Sequence, residues 1–293
     1  MALDIVIPAF NEEDRIDRTL RAYRAGVADP SARFFIALDS CTDRTAEVVQ
    51  HHVDVDPRVF ALEYPHLGKG GVIMETFRRT SADVVGFVDA DCATPPAEFL
   101  RLVGMTELAD GAIASRTHPA SVLPTPRPVL RRLTSRAFSF LTRALFRLPY
   151  RDTQCGAKVV RRQVADHVLP FLSSRDFLFD VDLLVTARRL GYRILEVPTV
   201  WCDQDGSHVD AVADARRMAL SALRLWLHHR VLPVPGRRVQ GVPVPVPPPW
   251  PGDVWPGDVW PGLATPEEYD REVAAAFAGL SAGARHASEP RSS

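Results

Sequence analysis

In the N-terminal part of the chain, short apolar runs alternate with longer mixed stretches. The runs at 3–8 (Leu-Asp-Ile-Val-Ile-Pro), 34–38 (Phe-Phe-Ile-Ala-Leu), 59–62 (Val-Phe-Ala-Leu) and 84–88 (Val-Val-Gly-Phe-Val) have the length and composition of strands. Between them, 45–52 and 70–79 read as helices. A further helix is expected after Asn11, with Asn11 as its cap and Glu12 and Glu13 in its first turn, where acids suit the helix dipole. Arg15, Arg18, Arg21 and Arg24 recur every third residue, the pattern of a solvated helix face. Strands alternating with helices predict an α/β fold whose mostly parallel central sheet carries helices on both faces. In such sheets ligands bind beyond the carboxyl ends of the strands.

The pattern changes near residue 232. Much of the chain's complement of 25 prolines follows, in VPVPVPPPWPGDVWPGDVWPGL with its tandem Trp-Pro-Gly-Asp-Val. Proline fixes φ and lacks the amide donor, so neither a helix nor a central strand fits. The expected organisation is a catalytic-sized domain over 1–232 and a proline-rich linker over 233–264. A short helix is expected over 265–282, opened by Thr265-Pro266-Glu267-Glu268, and a disordered tail over 283–293. Two stretches, 130–148 and 216–231, mix Leu, Phe or Trp with Arg. Such helices pack on a core or lie in a lipid interface; partial membrane contact is expected of the first, and both readings stay open for the second.

Composition narrows the class. Of 293 residues, 46% are hydrophobic and 24% charged, as in soluble globular proteins. The net charge of -1 speaks against a general affinity for nucleic acid. No apolar run approaches the roughly 18 residues that span a bilayer, and no basic region precedes an apolar one at the N-terminus, so no signal peptide is expected. Cys41, Cys92, Cys155 and Cys202 are scattered without a Cys-x-x-Cys pair, so neither zinc nor a disulfide framework is expected and a cytoplasmic setting fits. Two of the 35 basic residues, Lys69 and Lys158, are lysines; the sequence alone attaches no function to that bias.

Chemistry gathers at the strand ends. Asp39 closes the second run; its carboxylate suits the ring N–H of a nucleobase, or the turn is a plain strand-to-helix connection capped by Thr42 or Asp43. The fourth run ends Asp89-Ala90-Asp91. Residues i and i+2 of an extended chain point the same way, so two carboxylates are presented together. They repel unless a cation lies between them, and Mg²⁺ or Mn²⁺ there would bridge a diphosphate to the protein. The alternative is a solvated acidic turn. Gly68-Lys69-Gly70-Gly71 opens a helix and allows an anion to approach, yet lacks the spacing of a P-loop.

These elements in this order carry a resemblance. IVIPAFNEE, LDSCTDRT, GKGG and VVGFVDAD resemble family 2 glycosyltransferases of the GT-A fold. The later segments DTQCGAK (152–158), FLFDVDLL (177–184), RLGYRILEVP (189–198) and Trp201 to Ser207 are similar to polyprenyl-phosphate hexosyltransferases, above all the dolichyl-phosphate β-glucosyltransferase branch. The departures are Leu38 in place of a first Asp, Ser40-Cys41 in place of Gly-Ser, and His208 where Lys is usual.

The resemblance implies an inverting transfer of a glucose-like hexose from a UDP- or GDP-sugar to a polyprenyl or dolichyl phosphate, with the enzyme cytoplasmic or peripheral on the membrane's cytoplasmic face. It places Pro8, Glu12 and Asp39 on the nucleotide, Asp89 and Asp91 on metal and diphosphate, and Lys69 in the same cradle. It places Arg116, Arg131 and Ser135 on the acceptor phosphate; the spacing puts Arg131 and Ser135 on one helical face. A hydroxyl acceptor would instead need a carboxylate base, for which Asp152, Asp180 and Asp182 are the candidates, or they form an ion-paired helix start. Other readings are a soluble small-molecule acceptor, a sugar-nucleotidyltransferase (which usually needs a glycine-rich first loop), and an inactive binding protein whose tail docks partners.

Overall fold

The computed structural model describes residues 1–124, 129–202 and 211–231, without the side chains of 129–136 and 211–217. Its strands are β1 (Leu3–Ala9), β2 (Arg33–Asp39), β3 (Val59–Tyr64), β4 (Val84–Val88), β5 (Gly111–Ser115), β6 (Ala157–Arg161) and β7 (Ile194–Pro198). The helices are α1 (Ile16–Gly26), α2 (Thr45–Val55), α3 (Lys69–Arg79), α4 (Pro96–Met105), α5 (Val129–Phe146), α6 (Arg162–Val168), α7 (Phe179–Arg189) and α8 (Ala211–Val231). The expected runs fall on β1 to β4 with ends shifted by a residue or two. The expected linker, the 265–282 helix, the 283–293 tail and His208 lie outside the described residues.

One sheet runs in the order β3-β2-β1-β4-β6-β5-β7. Every pairing is parallel except those of β6, which is antiparallel to β4 and β5. Alternation along β1 explains its two covers. Ile5 and Ile7 join Leu20, Tyr23 and Phe99 on one face; Val6 joins Phe77, Phe87 and Phe179 on the other. Each such side chain contributes on the order of 1.5–3 kcal/mol on burial.

The chain progresses outward from β1 to β3, then returns to place β4 on the other side of β1. The order reverses between β1 and β4, the point where open α/β sheets form a crevice beyond the strand ends. Backbone conformation marks the same place. Asn11, Ser40 and Cys92, beyond β1, β2 and β4, take φ of 54°, 55° and 56°, the left-handed region uncommon for residues other than glycine.

Asn11 corrects one expectation. It does not cap α1, which begins at Ile16 without a side-chain cap. Its Oδ1 accepts the Thr42 N–H at 2.8 Å, while the Glu12 N–H donates to Thr45 Oγ1 at 2.7 Å. The Thr42 backbone N–H, just ahead of α2, and the Thr45 side chain at its start thus take the groups that an earlier helix start needs. At the head of α2 the N-cap position falls on Arg44, not on Thr42 or Asp43, while Asp43 Oδ1 accepts the Thr45 N–H at 3.0 Å.

Candidate active site

At the tip of β4 the backbone N–H of Asp89 donates to the Gly156 carbonyl at 3.0 Å, which fixes the carboxylate against β6. Gly156 has to be glycine: a Cβ there would stand 1.8 Å from Asp89 Oδ2. Lys69 Nζ lies 2.6 Å from Asp89 Oδ1 and 3.7 Å from Asp180 Oδ2. Lys158 Nζ meets Asp180 Oδ1 at 2.5 Å and donates to the Cys155 carbonyl at 2.6 Å. Both lysines of the chain therefore converge on Asp180. Burial opposes the charge on Lys69, but Asp89 and Asp180 outweigh it and hold the ammonium well above its ordinary pKa.

The lysines leave negative charge uncompensated nearer the crevice. Asp91 accepts one hydrogen bond, from the Ala93 N–H at 3.0 Å, and burial and then the Asp89 charge push its carboxyl upward. Glu12 is raised as well: burial leads, Arg15 at 2.6 Å opposes it, and Asp91 and Asp89 add to it. This surplus of hard oxygen donors fits a divalent cation. Among the described residues no group of three or more acidic, His or Cys side chains forms a protein-only cage. A cation held by Asp89 and Asp91 would complete its shell with phosphate oxygens, as Mg²⁺ does.

Asp39 sits at the tip of β2, 3% exposed. Its two oxygens accept the Leu67 and Gly68 N–H groups at 2.6 and 3.0 Å. It thereby holds the turn that launches α3 and delivers Lys69. Gly68 takes φ 76°, and a Cβ there would come 2.6 Å from the Arg175 carbonyl. A carboxylate offers about four acceptor sites, so these two bonds leave capacity for a nucleobase N–H. Beside it His66 Nδ1 lies 3.4 Å from Asp39 Oδ2, and the His66 ring faces Phe10 with centroids 5.3 Å apart. Phe10 is 50% exposed immediately after β1. Neither aromatic was singled out from the sequence; a Phe placed just past a strand end, where burial stops, was the available signal. Pro8 is half-buried on β1, paired in register with Ala37.

The three candidate bases are all committed. Asp152 is 1% exposed and takes both ends of the Arg116 guanidinium, at 2.7 and 2.9 Å. Burial raises its pKa, but the Arg116 charge and hydrogen bonds prevail and hold it at about 2. Asp180 lies between the two lysines. Asp182 is fully buried and accepts the Ser173 and Ser174 N–H groups at 2.7 and 2.9 Å. Its other oxygen lies 2.7 Å from His229 Nε2 on α8. Asp180 and Asp182 thus form a paired start of α7, while Asp152, ahead of β6, is paired with Arg116 away from any helix start. Arg116 is correspondingly neutralised and stacks over Trp201 at 5.0 Å. Arg131 and Ser135 lie on α5 as expected, with side chains outside those described.

Residues 4–169 match the family model of glycosyl transferase family 2. The chain belongs to glycosyl transferase family 2. Its mostly parallel central sheet, covered by helices, has the GT-A fold. The chain is 31% identical over 244 residues to the glycosyltransferase AglD of Haloferax volcanii, covering 81% of this chain and 39% of that one. It thus spans well under half of that relative's length. It is 30% identical over 243 residues to a dolichyl-phosphate beta-glucosyltransferase of Trichomonas vaginalis, covering 78% of this chain and 74% of that one. Among solved structures, glucosyl-3-phosphoglycerate synthase from Mycobacterium tuberculosis, in complex with Mn²⁺, uridine diphosphate and glucosyl-3-phosphoglycerate, superposes with a TM-score of 0.61 at 18% identity. That match covers 77% of this chain and 79% of the synthase, and it speaks to the fold.

Proposed function

We propose that this family 2 chain transfers a hexosyl group, with inversion, from a nucleotide diphosphate sugar to a polyprenyl phosphate. The observation that carries the reading is the surplus of carboxylate charge at the β4 tip beside Lys69, at the crevice of the sheet. Asp39, Phe10 and His66 line the nucleotide end, and Glu12 and Arg15 border the diphosphate end. Asp89 and Asp91 would hold Mg²⁺ or Mn²⁺, which when bound neutralises charge developing on the departing diphosphate.

An acceptor phosphate oxygen attacks C1 of the sugar. The new C1–O bond forms as the bond from C1 to the β-phosphate oxygen breaks, and the electron pair leaves on the nucleoside diphosphate. The attacking oxygen is already ionised near pH 7, so no proton has to be removed. The commitment of Asp152, Asp180 and Asp182 to partners supports this over a hydroxyl acceptor, which would need a free base. The relative named for dolichyl-phosphate glucosylation supports the lipid acceptor.

No described helix is long and apolar enough to cross a membrane. Lipid access is instead proposed along α5 and α8, which pack on each other. Phe140 and Leu141 on α5, and Leu220, Leu223, Leu227 and Val231 along α8, are exposed. Arginines accompany both faces, a combination suited to a lipid interface.

The test is a donor-by-acceptor panel. Radiolabelled UDP- and GDP-hexoses are mixed with Mn²⁺ or Mg²⁺ and a short polyprenyl phosphate, then partitioned between organic solvent and water. Metal-dependent label in the organic phase is expected. Label appearing solely on a water-soluble product would reject the lipid acceptor.

A further inference from the structure

Asp182 is fully buried near the head of α7, and its two oxygens face different elements. Oδ1 lies 2.7 Å from His229 Nε2 on α8, while Arg189 Nη1 lies 3.3 Å from His229 Nδ1. A guanidinium only donates, so Nδ1 accepts and Nε2 carries the proton that His229 shares with Asp182. Oδ2 accepts the Ser173 and Ser174 N–H groups at 2.7 and 2.9 Å. Burial pushes the carboxyl up, yet the His229 bond, then the Ser174 and Ser173 bonds, prevail and hold it below its ordinary pKa.

The loop held in this way, 173–176, is the wall against which the Gly68–Gly71 turn rests. The Gly71 N–H donates to the Arg175 carbonyl at 3.1 Å. A Cβ on Gly70 would come 2.8 Å from the Ser174 carbonyl and 3.0 Å from that of Asp176, so the two backbones meet with no room for a side chain. Lys69 extends from this turn and reaches Asp89 Oδ1 at 2.6 Å. The other end of the chain of contacts is anchored too. Ala222 and Leu225 of α8 are buried in the same core as Phe179, and the Phe146 ring meets His229 edge-on with centroids 6.2 Å apart.

We infer that His229 is a positioning residue for Lys69: from α8, through Asp182 and the 173–176 loop, it fixes where the ammonium stands at the diphosphate end of the crevice. The inference rests on the transfer reading above, in which Lys69 stands beside the departing diphosphate. It gives α8, which lies beyond the family match ending at residue 169, a part in the donor site. A lysine ammonium is a point charge on a flexible stem, and misplacing such a group by about 1 Å can cost about a hundredfold in rate.

The test uses the two lysines of the chain as reporters. The full chain, isotope-labelled at lysine Cε, gives two side-chain signals by nuclear magnetic resonance, and Lys69→Arg removes the one to follow. Wild type is compared with His229→Leu, His229→Gln and Asp182→Asn, and affinity for uridine and guanosine diphosphate is measured with Mn²⁺. His229→Leu is expected to move the Lys69 signal and to weaken nucleotide binding about tenfold, the loss of one charge-assisted contact. The Lys158 signal, held by the Cys155 carbonyl at 2.6 Å, is expected to keep its place. His229→Gln, whose amide N–H still reaches toward Asp182, is expected to stay close to wild type in both readouts. Asp182→Asn, nearly isosteric, is expected to behave as His229→Leu and carries the test if the leucine variant does not fold. An unmoved Lys69 signal in a folded variant overturns the inference, and so does equal movement of both lysine signals, which a merely loosened α7 would give. A Lys69 signal that answers to His229 in a chain that binds neither nucleotide rejects the transfer reading and leaves the positioning role standing.

Discussion

Asp152 shows how partners decide what a residue does. By itself its carboxylate is a candidate base, yet with Arg116 bound through both oxygens it is a buried ion pair. Breaking such a pair from one side leaves a charge without compensation, at about 3–5 kcal/mol. Asp152→Asn is expected to lower stability by that order in urea titrations at pH 7. The pH dependence follows from the sign of the shift. The folded pKa, about 2, lies below the unfolded value, so the stabilisation is fully present above about pH 4 and is lost as the pH falls toward 2. It amounts to about 2 kcal/mol. The stability gap between wild type and Asp152→Asn should therefore narrow by that much between pH 5 and pH 2; a constant gap would show that Arg116 does not hold the acid.

Among the elements, the strands β5, β6 and β7 are those that sequence periodicity did not place. β6 is antiparallel to both of its neighbours, and the residue just ahead of it, Gly156, serves the site by a missing side chain beside Asp89. Gly156→Ala is expected to displace that carboxylate, cutting turnover about a hundredfold, the effect of misplacing a reacting group by about 1 Å, while ordinary overpacking costs about 1–3 kcal/mol of stability. Unchanged turnover would detach β6 from the site. The strands β1 to β4 and the residues at their tips were legible because strand period and chain order are local properties. Partner choice is not. Nothing local distinguishes Asp182, bound to His229 forty-seven residues later, from a free acid. The scarcity of lysine was visible, but its meaning needed the fold, which brings Lys69 and Lys158 to one carboxylate.

On the scale of the whole molecule, the family 2 match ends at residue 169, while the packed structure continues to the end of α8 at Val231. His229 near that end is buried against Asp182, so α8 belongs to the folded unit. Deleting residues 236–293 is expected to leave the melting temperature and sugar transfer unchanged; a fall of several degrees would move the boundary into the tail. Leu223→Glu with Leu227→Glu, on the exposed stripe of α8, is expected to abolish co-sedimentation with anionic vesicles while uridine diphosphate binding persists; retained co-sedimentation would remove α8 from the membrane face. The central claim is that the β4 carboxylates hold a cation against the diphosphate, and electron paramagnetic resonance of Mn²⁺ during titration with uridine diphosphate measures it most directly. The account predicts nucleotide-dependent Mn²⁺ binding by wild type and its loss in a folded Asp91→Ala. Equal Mn²⁺ affinity in the two proteins would contradict it.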